Sequence, residues 1–365
     1  MRYMQFYKRH FAGNVRGGGT TPENNASQLH ISVAMATYNG EKYIEEQLLS
    51  ICRQTRKPDE IVISDDGSRD ATLEVVARVA ACEDAQGIDF VVITDNPRHG
   101  CGGNFEWALK HTSGDLVFIC GQDDIWLSDK VACIEQVFVE HCDALCVLHD
   151  AKIIDGTGEL KELPFLTQAD ADIFTERCNE GECFKLPHEV LEQSVSRPII
   201  SGIAISLRRS LLNQLSPFPI YAEDQWIEFN ALLNNGCYFV NKILTYYRKH
   251  SSNTSGSRTK GIRKLKGLLR NLQVLKKRKA LYLYTYEFGK GCKERLDAYK
   301  MQDDPAYGTA KRVYEIGLRK YNAYQKGGIM GAWMVWRMYR TDMRYRRCGF
   351  WAFFYDLLFV MTRTN

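Results

Sequence analysis

Two adjacent carboxylates end an apolar run in this chain, because the segment FICGQDDIWLSDK at 118–130 carries Asp123 and Asp124. Two unit charges about 4 Å apart repel by roughly 4 kcal/mol at an effective dielectric constant of 20. A divalent cation offsets that repulsion, and oxygen-rich loop mouths suit Mg²⁺ or Mn²⁺, which commonly hold phosphate groups at the same time. The alternative is that the pair caps the next helix or stays hydrated.

A second acidic pair lies in ISDDGS at 63–68. Asp65 is suited to accept a hydrogen bond from a nucleobase ring N–H, and Asp66 is suited to hold ribose hydroxyls. Gly67 and Ser68 then turn the chain toward a helix. Such a sequence is also a common turn, so taken by itself it favours a turn over a nucleotide site.

A third acidic pair opens the segment AEDQW at 222–226. Glu223 and Asp224 begin an amphipathic helix, where the helix dipole favours negative charge. The alternative is an N-terminal cap with Trp226 in the core. Upstream, Gly202 in IISGIAIS either admits a substrate closely or marks a bend in the sheet.

Short apolar strands alternate with helices in the segment that precedes and contains these pairs. The pattern predicts strands at 31–36, 60–64, 90–94 and 115–120, and helices at 41–54, 70–81 and 103–112. Such alternation indicates right-handed βαβ units in an α/β fold with a mainly parallel sheet flanked by helices. Ligands of these sheets bind beyond the carboxyl ends of the strands, where the polar loops of this chain lie.

The alternation loosens after residue 150. We expect a strand-like segment at 144–150, a loop around 155–185, a strand at 199–206 and a helix at 222–235. The segment KILTYYRKH at 242–250 then ends the acidic part of the chain.

These segments in this order closely resemble inverting family 2 glycosyltransferases of the GT-A fold, and the rhamnosyltransferase-like members above all. The resemblance runs from about residue 30 to 255 and rests on SVAMATYNGEKYIEEQLL, EIVISDDGSRDATLEVV, NPRHGCGGNFEWAL, GDLVFICGQDDIWLSDK and YYRKHSSN. It implies that a nucleotide-sugar is held by Thr37, Tyr38, Asn39, Asp65, Asp66, Gly100, Asn104, Gln122, Asp124, Arg248 and His250. Asp123 is then the ligand of a divalent metal, Mn²⁺ or Mg²⁺.

The resemblance also assigns the proton transfer. Asp224 is the expected general base, Glu223 positions it or binds the acceptor, and Gly202 and Trp226 contact the acceptor. One base and one stabilised leaving group suit a single displacement with inversion. The chain departs from its relatives at Gly121, where they usually carry an aspartate. That departure keeps a non-catalytic scaffold open as an alternative.

The charge of the chain is divided unevenly. Residues 260–365 hold 24 Lys and Arg against 8 Asp and Glu, a balance of +16, whereas the earlier residues hold 24 against 36, a balance of −12. Basic residues interleaved with Trp, Tyr and Phe suit helices that lie on a membrane surface. The alternatives are packing on the acidic part and binding of nucleic acid; we expect no nucleic acid.

We therefore expect a flexible arm over 1–28, a GT-A catalytic domain over 29–256 and a basic, aromatic-rich helical region over 257–365. The first residues lack the apolar stretch of a secretory signal, and the longest apolar run, 349–361, is shorter than the roughly 20 residues of a membrane-spanning helix. The 12 scattered cysteines form no C-x-x-C pair. These features predict a cytoplasmic protein that is peripheral to the membrane. The family resemblance implies an enzyme that transfers a sugar, rhamnose as the best guess, from a dTDP- or UDP-linked donor to a lipid-linked bacterial glycan.

Overall fold

The structure is a computed structural model that describes residues 29–166, 174, 178–200, 202–216, 218, 223–250, 253, 271–341, 356–357 and 360. Of residues 164, 271–281 and 341 it describes the backbone alone. The predicted arm at 1–28 and much of the C-terminal basic region lie outside the described residues.

The described strands form one sheet of ten. In chain order they are β1 (Ile31–Thr37), β2 (Glu60–Asp65), β3 (Asp89–Ile93), β4 (Leu116–Cys120), β5 (Ile125–Trp126), β6 (Cys146–Asp155), β7 (Leu160–Pro164), β8 (Cys183–Lys185), β9 (Ile205–Arg208) and β10 (Cys237–Lys249). The main path of the sheet is β3-β2-β1-β4-β9-β6-β10-β5, with β7 beside β6 and β8 beside β10.

The described helices flank this sheet or follow it in the chain. They are α1 (Ile44–Cys52), α2 (Thr72–Ala80), α3 (Cys101–His111), α4 (Lys130–Glu140), α5 (Val190–Ser196), α6 (Arg209–Leu212), α7 (Glu223–Leu233), α8 (Asn271–Ala298), α9 (Pro305–Lys326) and α10 (Gly328–Thr341). The mixed α/β architecture and the C-terminal helices match the predicted fold class.

The parallel half of the sheet brings the predicted site loops to one edge. Strand β1 pairs in parallel with β2 and β4, and β2 pairs in parallel with β3. These strands are almost wholly buried, which explains their continuous apolar sequences. In this register Thr37 lies opposite Asp65, so the ends of β1 and β2 meet.

The other half of the sheet is mixed. Strand β9 runs antiparallel between β4 and β6, β10 pairs in parallel with β6, and the short β5 pairs antiparallel with β10. Pairing of β5 with Thr245 and Tyr246 brings the loop after β4 beside the end of β10. The expected α/β class with flanking helices is confirmed, but the sheet is mixed rather than mainly parallel, because its described strands form four parallel and five antiparallel pairs.

Two local predictions were wrong. The segment expected to be a loop around 155–185 contains β7 and β8. β7 pairs with β6, which directly precedes it in the chain, whereas β8 pairs with β10, which lies far along the sequence. The strand expected at 199–206 is a single 3₁₀ turn at Gly202–Ala204 followed by β9. In both places tertiary pairing determines the backbone, which local composition does not reveal.

The chain divides into two compact units. The first contains the sheet with α1–α4, α6 and α7, and the second contains α5 and the C-terminal helices. In the second unit, α8 and α9 pack closely at Gly317, where an added Cβ would lie 2.4 Å from the backbone nitrogen of Tyr286. Asp304 caps α9 and Pro305 opens it. Among the helices described, none has the length and apolar character to cross a membrane.

Candidate active site

The turn after β2 is organised by Asp65. Its carboxylate accepts hydrogen bonds from Thr37 Oγ1 at 2.7 Å, from Ser68 Oγ at 2.6 Å, and from the backbone nitrogens of Gly67 and Ser68. Asp65 is 1% exposed. These bonds give both oxygens a structural task, so contact between Asp65 and a nucleobase stays a prediction.

Asp66 joins the end of β2 to the start of α3. Its carboxylate accepts from the backbone nitrogen of Gly100 at 2.8 Å and lies 2.5 Å from His99 Nδ1. Gly100 has φ +94°, which favours glycine, and directly precedes α3. Within α3, Asn104 donates through Nδ2 to the carbonyl of Thr37 at 3.0 Å. The ends of β1 and β2 and the start of α3, which the sequence analysis predicted to bind the nucleotide, are thereby brought together.

Gln122 fastens the loop after β1 to the acidic loop after β4. Its side-chain oxygen accepts from Tyr38 N at 2.8 Å, and its side-chain nitrogen donates to Tyr38 O at 3.1 Å. Gly40 leaves room for this amide, because an added Cβ would lie 2.4 Å from Gln122 Oε1. Asn39 adopts φ +49° and accepts through Oδ1 from Arg69 N. Tyr38 is 55% exposed, and its ring is open to a ligand.

The two carboxylates after β4 are held by the end of β10. Asp124 Oδ1 accepts from Arg248 N at 3.0 Å, and Arg248 Nε donates to the carbonyl of Asp123 at 2.8 Å. The same guanidinium donates to Glu46 on α1 at 2.5 Å. Asp123 Oδ2 lies 2.8 Å from His250 Nε2 and accepts from Asn253 Nδ2 at 3.3 Å.

Asp124 has one buried side-chain oxygen, Oδ2, that finds no hydrogen-bond partner among the described residues. Burial first, and then the charge of Asp123, raises the pKa of Asp124 to about 8. A bound cation reverses both effects, because it supplies the missing partner and favours the ionised form. The unpaired oxygen therefore fits a divalent metal at this corner.

The donor set agrees with such a metal. Asp123 and Asp124 offer carboxylate oxygens, which suit Mn²⁺ or Mg²⁺, and the His250 imidazole lies beside Asp123. No group of three such side chains already arranged around a metal position occurs in the described part of the chain. Metals that hold diphosphates commonly take one or two carboxylates from the protein and the remaining ligands from phosphate and water.

Helix α7 presents the third acidic pair. Asp224 Oδ1 accepts from Gln225 N at 2.7 Å, and the carboxylate also accepts from the backbone N–H of Gly202. The Cα of Gly202 lies close enough that an added Cβ would be 3.5 Å from Asp224 Cβ. Burial first, and then Asp224, raises the pKa of Glu223 to about 8; burial likewise raises the pKa of Asp224.

The three acidic pairs converge near Cys101, the first residue of α3. Loss of hydration raises the pKa of its thiol most, followed by the negative charges of Glu223, Asp224, Asp123 and Asp66. The distances agree with this proximity, because an added Cβ at Gly202 would lie 3.5 Å from Asp224 Cβ and 3.9 Å from Ile119 Cγ2 near the end of β4. The arrangement is a strongly acidic site with one group suited to accept a proton and another suited to hold a cation.

Two predicted contacts find a different environment. Trp226 is 3% exposed, donates through its indole nitrogen to Leu215 O at 2.8 Å and stacks on Phe229. Its burial favours the core role over contact with an acceptor. Arg248 is 2% exposed, and its guanidinium donates to Asp123 O, to Glu46 and, at 3.5 Å, to Asp155 O. These bonds favour holding the carboxylate loop over direct contact with a diphosphate.

Sequence reasoning missed Glu228, which lies one turn after Asp224 on α7. It is 0% exposed, and its two oxygens accept from the backbone nitrogens of Ile199 and Ile200 at 2.7 and 2.8 Å. These bonds fix the backbone just before Gly202, whose N–H reaches Asp224. A charged residue on the apolar side of a predicted helix was the available signal.

The geometry places an acidic site at the ends of the parallel strands of a mixed α/β sheet. Residues 32–203 match the model described as Glycosyl transferase family 2. The resemblance seen in the motifs is thereby confirmed, and glycosyltransferase activity is supported.

Individual relatives are moderately similar. The chain is 28% identical over 235 residues to an uncharacterised glycosyltransferase of Nostoc sp., covering 62% of this chain and 66% of that one. It is 28% identical to the dTDP-rhamnosyl transferase RfbG of Shigella flexneri, covering 65% and 79%. It is 24% identical to the Escherichia coli UDP-Glc:alpha-D-GlcNAc-diphosphoundecaprenol beta-1,3-glucosyltransferase WfgD, covering 64% and 83%.

Solved structures are more distant in sequence. The S. aureus TarS fragment 1–349 in complex with UDP-GlcNAc is 19% identical, covers 82% of this chain and 92% of its own, and superposes with a TM-score of 0.49. The mannosyltransferase PcManGT of Pyrobaculum calidifontis, in complex with GDP-Man and Mn²⁺, is 18% identical, covers 92% and 86%, and gives 0.46.

Proposed function

We propose that this protein is an inverting glycosyltransferase that transfers a sugar from a nucleotide-sugar to a hydroxyl of a lipid-linked bacterial surface glycan. The observation that carries the proposal is that three acidic pairs lie close together at the carboxyl ends of the parallel strands. Asp66 accepts from Gly100 before α3, and the backbone at Gly202 lies against both Asp224 and Ile119 near the end of β4. The family match over 32–203 supports the same class of reaction.

Asp224 is the proposed general base. An acceptor hydroxyl gives its proton to the Asp224 carboxylate while its oxygen forms a bond to the anomeric carbon of the donor, whose bond to the diphosphate breaks. The N–H of Gly202 and of Gln225 fix the orientation of that carboxylate. Glu223 beside it contacts or orders the acceptor. One displacement of this kind inverts the anomeric configuration.

Asp123 and Asp124 are the proposed metal-holding residues, with His250 at the same corner. A divalent metal bound there would neutralise charge that develops on the leaving diphosphate. Other residues position the site. Gln122 aligns the Tyr38 loop, and Arg248 holds the Asp123 backbone. The exposed Tyr38 ring offers a stacking surface to the base of the nucleotide.

For the donor we propose dTDP-linked rhamnose. The likeness to RfbG, whose name gives that donor, supports it. A UDP-linked hexose is the alternative, supported by the relative named as using UDP-Glc on a GlcNAc-diphosphoundecaprenol acceptor. That name also supports a lipid diphosphate-linked acceptor, and such an acceptor favours a peripheral protein at the cytoplasmic face of the plasma membrane.

Titration calorimetry tests the proposal with UDP, dTDP and GDP, each with and without Mn²⁺. We expect one nucleotide to bind in a manganese-dependent manner and Asp123→Ala to abolish that binding. The matched control is Asp89→Ala, which removes an exposed aspartate at the amino end of β3. Absence of nucleotide binding in the folded wild-type protein would instead support a non-catalytic scaffold in which Gly121 marks a lost site.

A further inference from the structure

Helix α10 already buries one apolar face within the second unit. Val335, Met338 and Tyr339 are 0%, 7% and 9% exposed and pack with Tyr282, Ala323, Tyr324 and Val360. Gly331 lies on the same side, where an added Cβ would be 2.4 Å from the Ala323 carbonyl oxygen. The helix is thus held in the unit by side chains that point inward.

A second apolar face of α10 points outward. Ile329 is 87% exposed, Met330 59%, Trp333 50% and Trp336 43%. At about 100° per residue these four positions fall within an arc of about 120°, opposite the buried face. The described residues include nine exposed large apolar side chains, and four of the nine lie on this one helix of 14 residues. Exposed apolar residues gathered in this way mark an interaction surface.

Cations accompany the two tryptophans on this face. The Arg337 guanidinium lies 5.4 Å from the Trp333 ring centre, and that of Arg340 lies 4.9 Å from the Trp336 ring centre. Helix α10 contains no acidic residue, and the following sequence adds Arg344, Arg346 and Arg347 against Asp342. The face is therefore apolar, aromatic and positive at once.

We infer that the outward face of α10, formed by Ile329, Met330, Trp333, Trp336, Arg337 and Arg340, docks on an anionic lipid membrane. Tryptophan suits the headgroup level because its ring is apolar and its N–H is polar, while arginine extends its charge to lipid phosphate. Anionic headgroups supply the complementary charge. A second copy is disfavoured because a two-fold contact would bring the arginines of both copies together.

This inference deepens the proposed function by naming the surface that meets the membrane, yet its test needs no catalysis. The full chain is mixed with vesicles of anionic phosphatidylglycerol and phosphatidylethanolamine, or with neutral phosphatidylcholine vesicles, and bound protein is measured by flotation. We expect Trp333→Ala with Trp336→Ala to lower partitioning into anionic vesicles by about tenfold or more. Arg337→Gln with Arg340→Gln should lower anionic binding and reduce its salt dependence.

The matched control is Leu160→Ala with Leu163→Ala on β7 in the first unit, where each leucine is 57% exposed. It should bind vesicles as the wild type does. Thermal melting identifies any variant that fails to fold, and Ile329→Ser with Met330→Ser then replaces the tryptophan pair, since both side chains are largely exposed.

Equal vesicle binding by the wild type and the folded tryptophan variant would overturn the inference. So would a concentration-dependent dimer, seen by light scattering, that the tryptophan variant loses, because a second copy would then cover the face. The calorimetric titration on the same preparations separates this inference from the proposed function. Vesicle binding without nucleotide binding would support the membrane-docking surface and contradict the proposed enzyme function. Nucleotide binding without vesicle binding would support the enzyme function and contradict the docking surface.

Discussion

His250 Nε2 lies 2.8 Å from Asp123 Oδ2, although 127 residues separate the two in the chain. The His250 ring also packs 4.7 Å from that of Tyr43, which lies just before α1. The Arg248 guanidinium lies 4.9 Å from the same tyrosine ring. Segments from the start, middle and end of the first unit therefore meet at the proposed metal and diphosphate corner.

Arg248→Lys should weaken manganese-dependent nucleotide binding by about 10- to 100-fold, as loss of a residue that orients metal ligands does. Lysine cannot reproduce a planar guanidinium that reaches the Asp123 carbonyl and the Glu46 carboxylate together. Calorimetry against the selected nucleotide measures the change. Lys249→Gln alters the exposed neighbour and should bind normally; equal affinities for both variants would contradict the positioning role.

Gly121→Asp, which introduces the acid that the family resemblance predicts at this position, should destabilise the metal-free protein by about 1–3 kcal/mol. An added Cβ would lie 3.1 Å from Asp124 Oδ2 and 3.3 Å from Asp123 Oδ1, and the new charge would face two carboxylates. Urea unfolding with and without Mn²⁺ tests this, and manganese should recover most of the lost stability. Gly121→Ala adds the Cβ without the charge, so it measures the steric loss of stability alone, and manganese should not recover that loss.

Asp224→Asn should lower sugar transfer by about 10²- to 10⁴-fold and leave nucleotide binding nearly intact, since it removes a general base and keeps the side-chain shape. Transfer of labelled sugar from the donor that calorimetry identifies to a lipid diphosphate-linked acceptor measures the rate. Asp89→Asn is the surface control. Normal transfer by Asp224→Asn would exclude this residue as the base.

The rate of transfer should fall as the pH drops through the range in which the Glu223 and Asp224 pair takes up protons. Burial raises the pKa of both, that of Glu223 to about 8, and a base must be ionised to accept a proton. The stability contributed by this pair has the opposite trend: it is fully present at low pH and is lost as pH rises through the raised values. A pH–rate profile and melting temperatures between pH 5 and 9 test both trends. Glu223→Gln should reduce the dependence of the melting temperature on pH.

Glu228→Gln should destabilise the fold by about 1–3 kcal/mol, because the new amide N–H₂ would face one of two buried backbone donors. The loosened backbone before Gly202 should also disturb Asp224 and shift the acid limb of the pH–rate profile. Glu74→Gln changes an exposed glutamate of α2 and serves as the control. A stability loss with an unchanged pH profile would limit Glu228 to a structural role.

Much of the fold follows from local sequence. Buried strands with apolar runs and helices with regular spacing were placed to within a few residues from β1 to β4, because each is set by nearby side chains. β7, β8 and β9 were misplaced because their short sequences become strands only through pairing with β4, β6 and β10.

By itself the sequence placed the acidic pairs at two strand ends and at a helix start, and from their order it predicted a metal site and a proton acceptor. Tertiary structure alone decided how those groups are held. Arg248 turns to Asp123, Glu228 fixes the backbone before Gly202, and Asp124 keeps an unpaired oxygen. The physical reason is that a hydrogen bond between residues 29 or 127 positions apart does not change the spacing of apolar residues in either segment, so the sequence pattern does not reveal it.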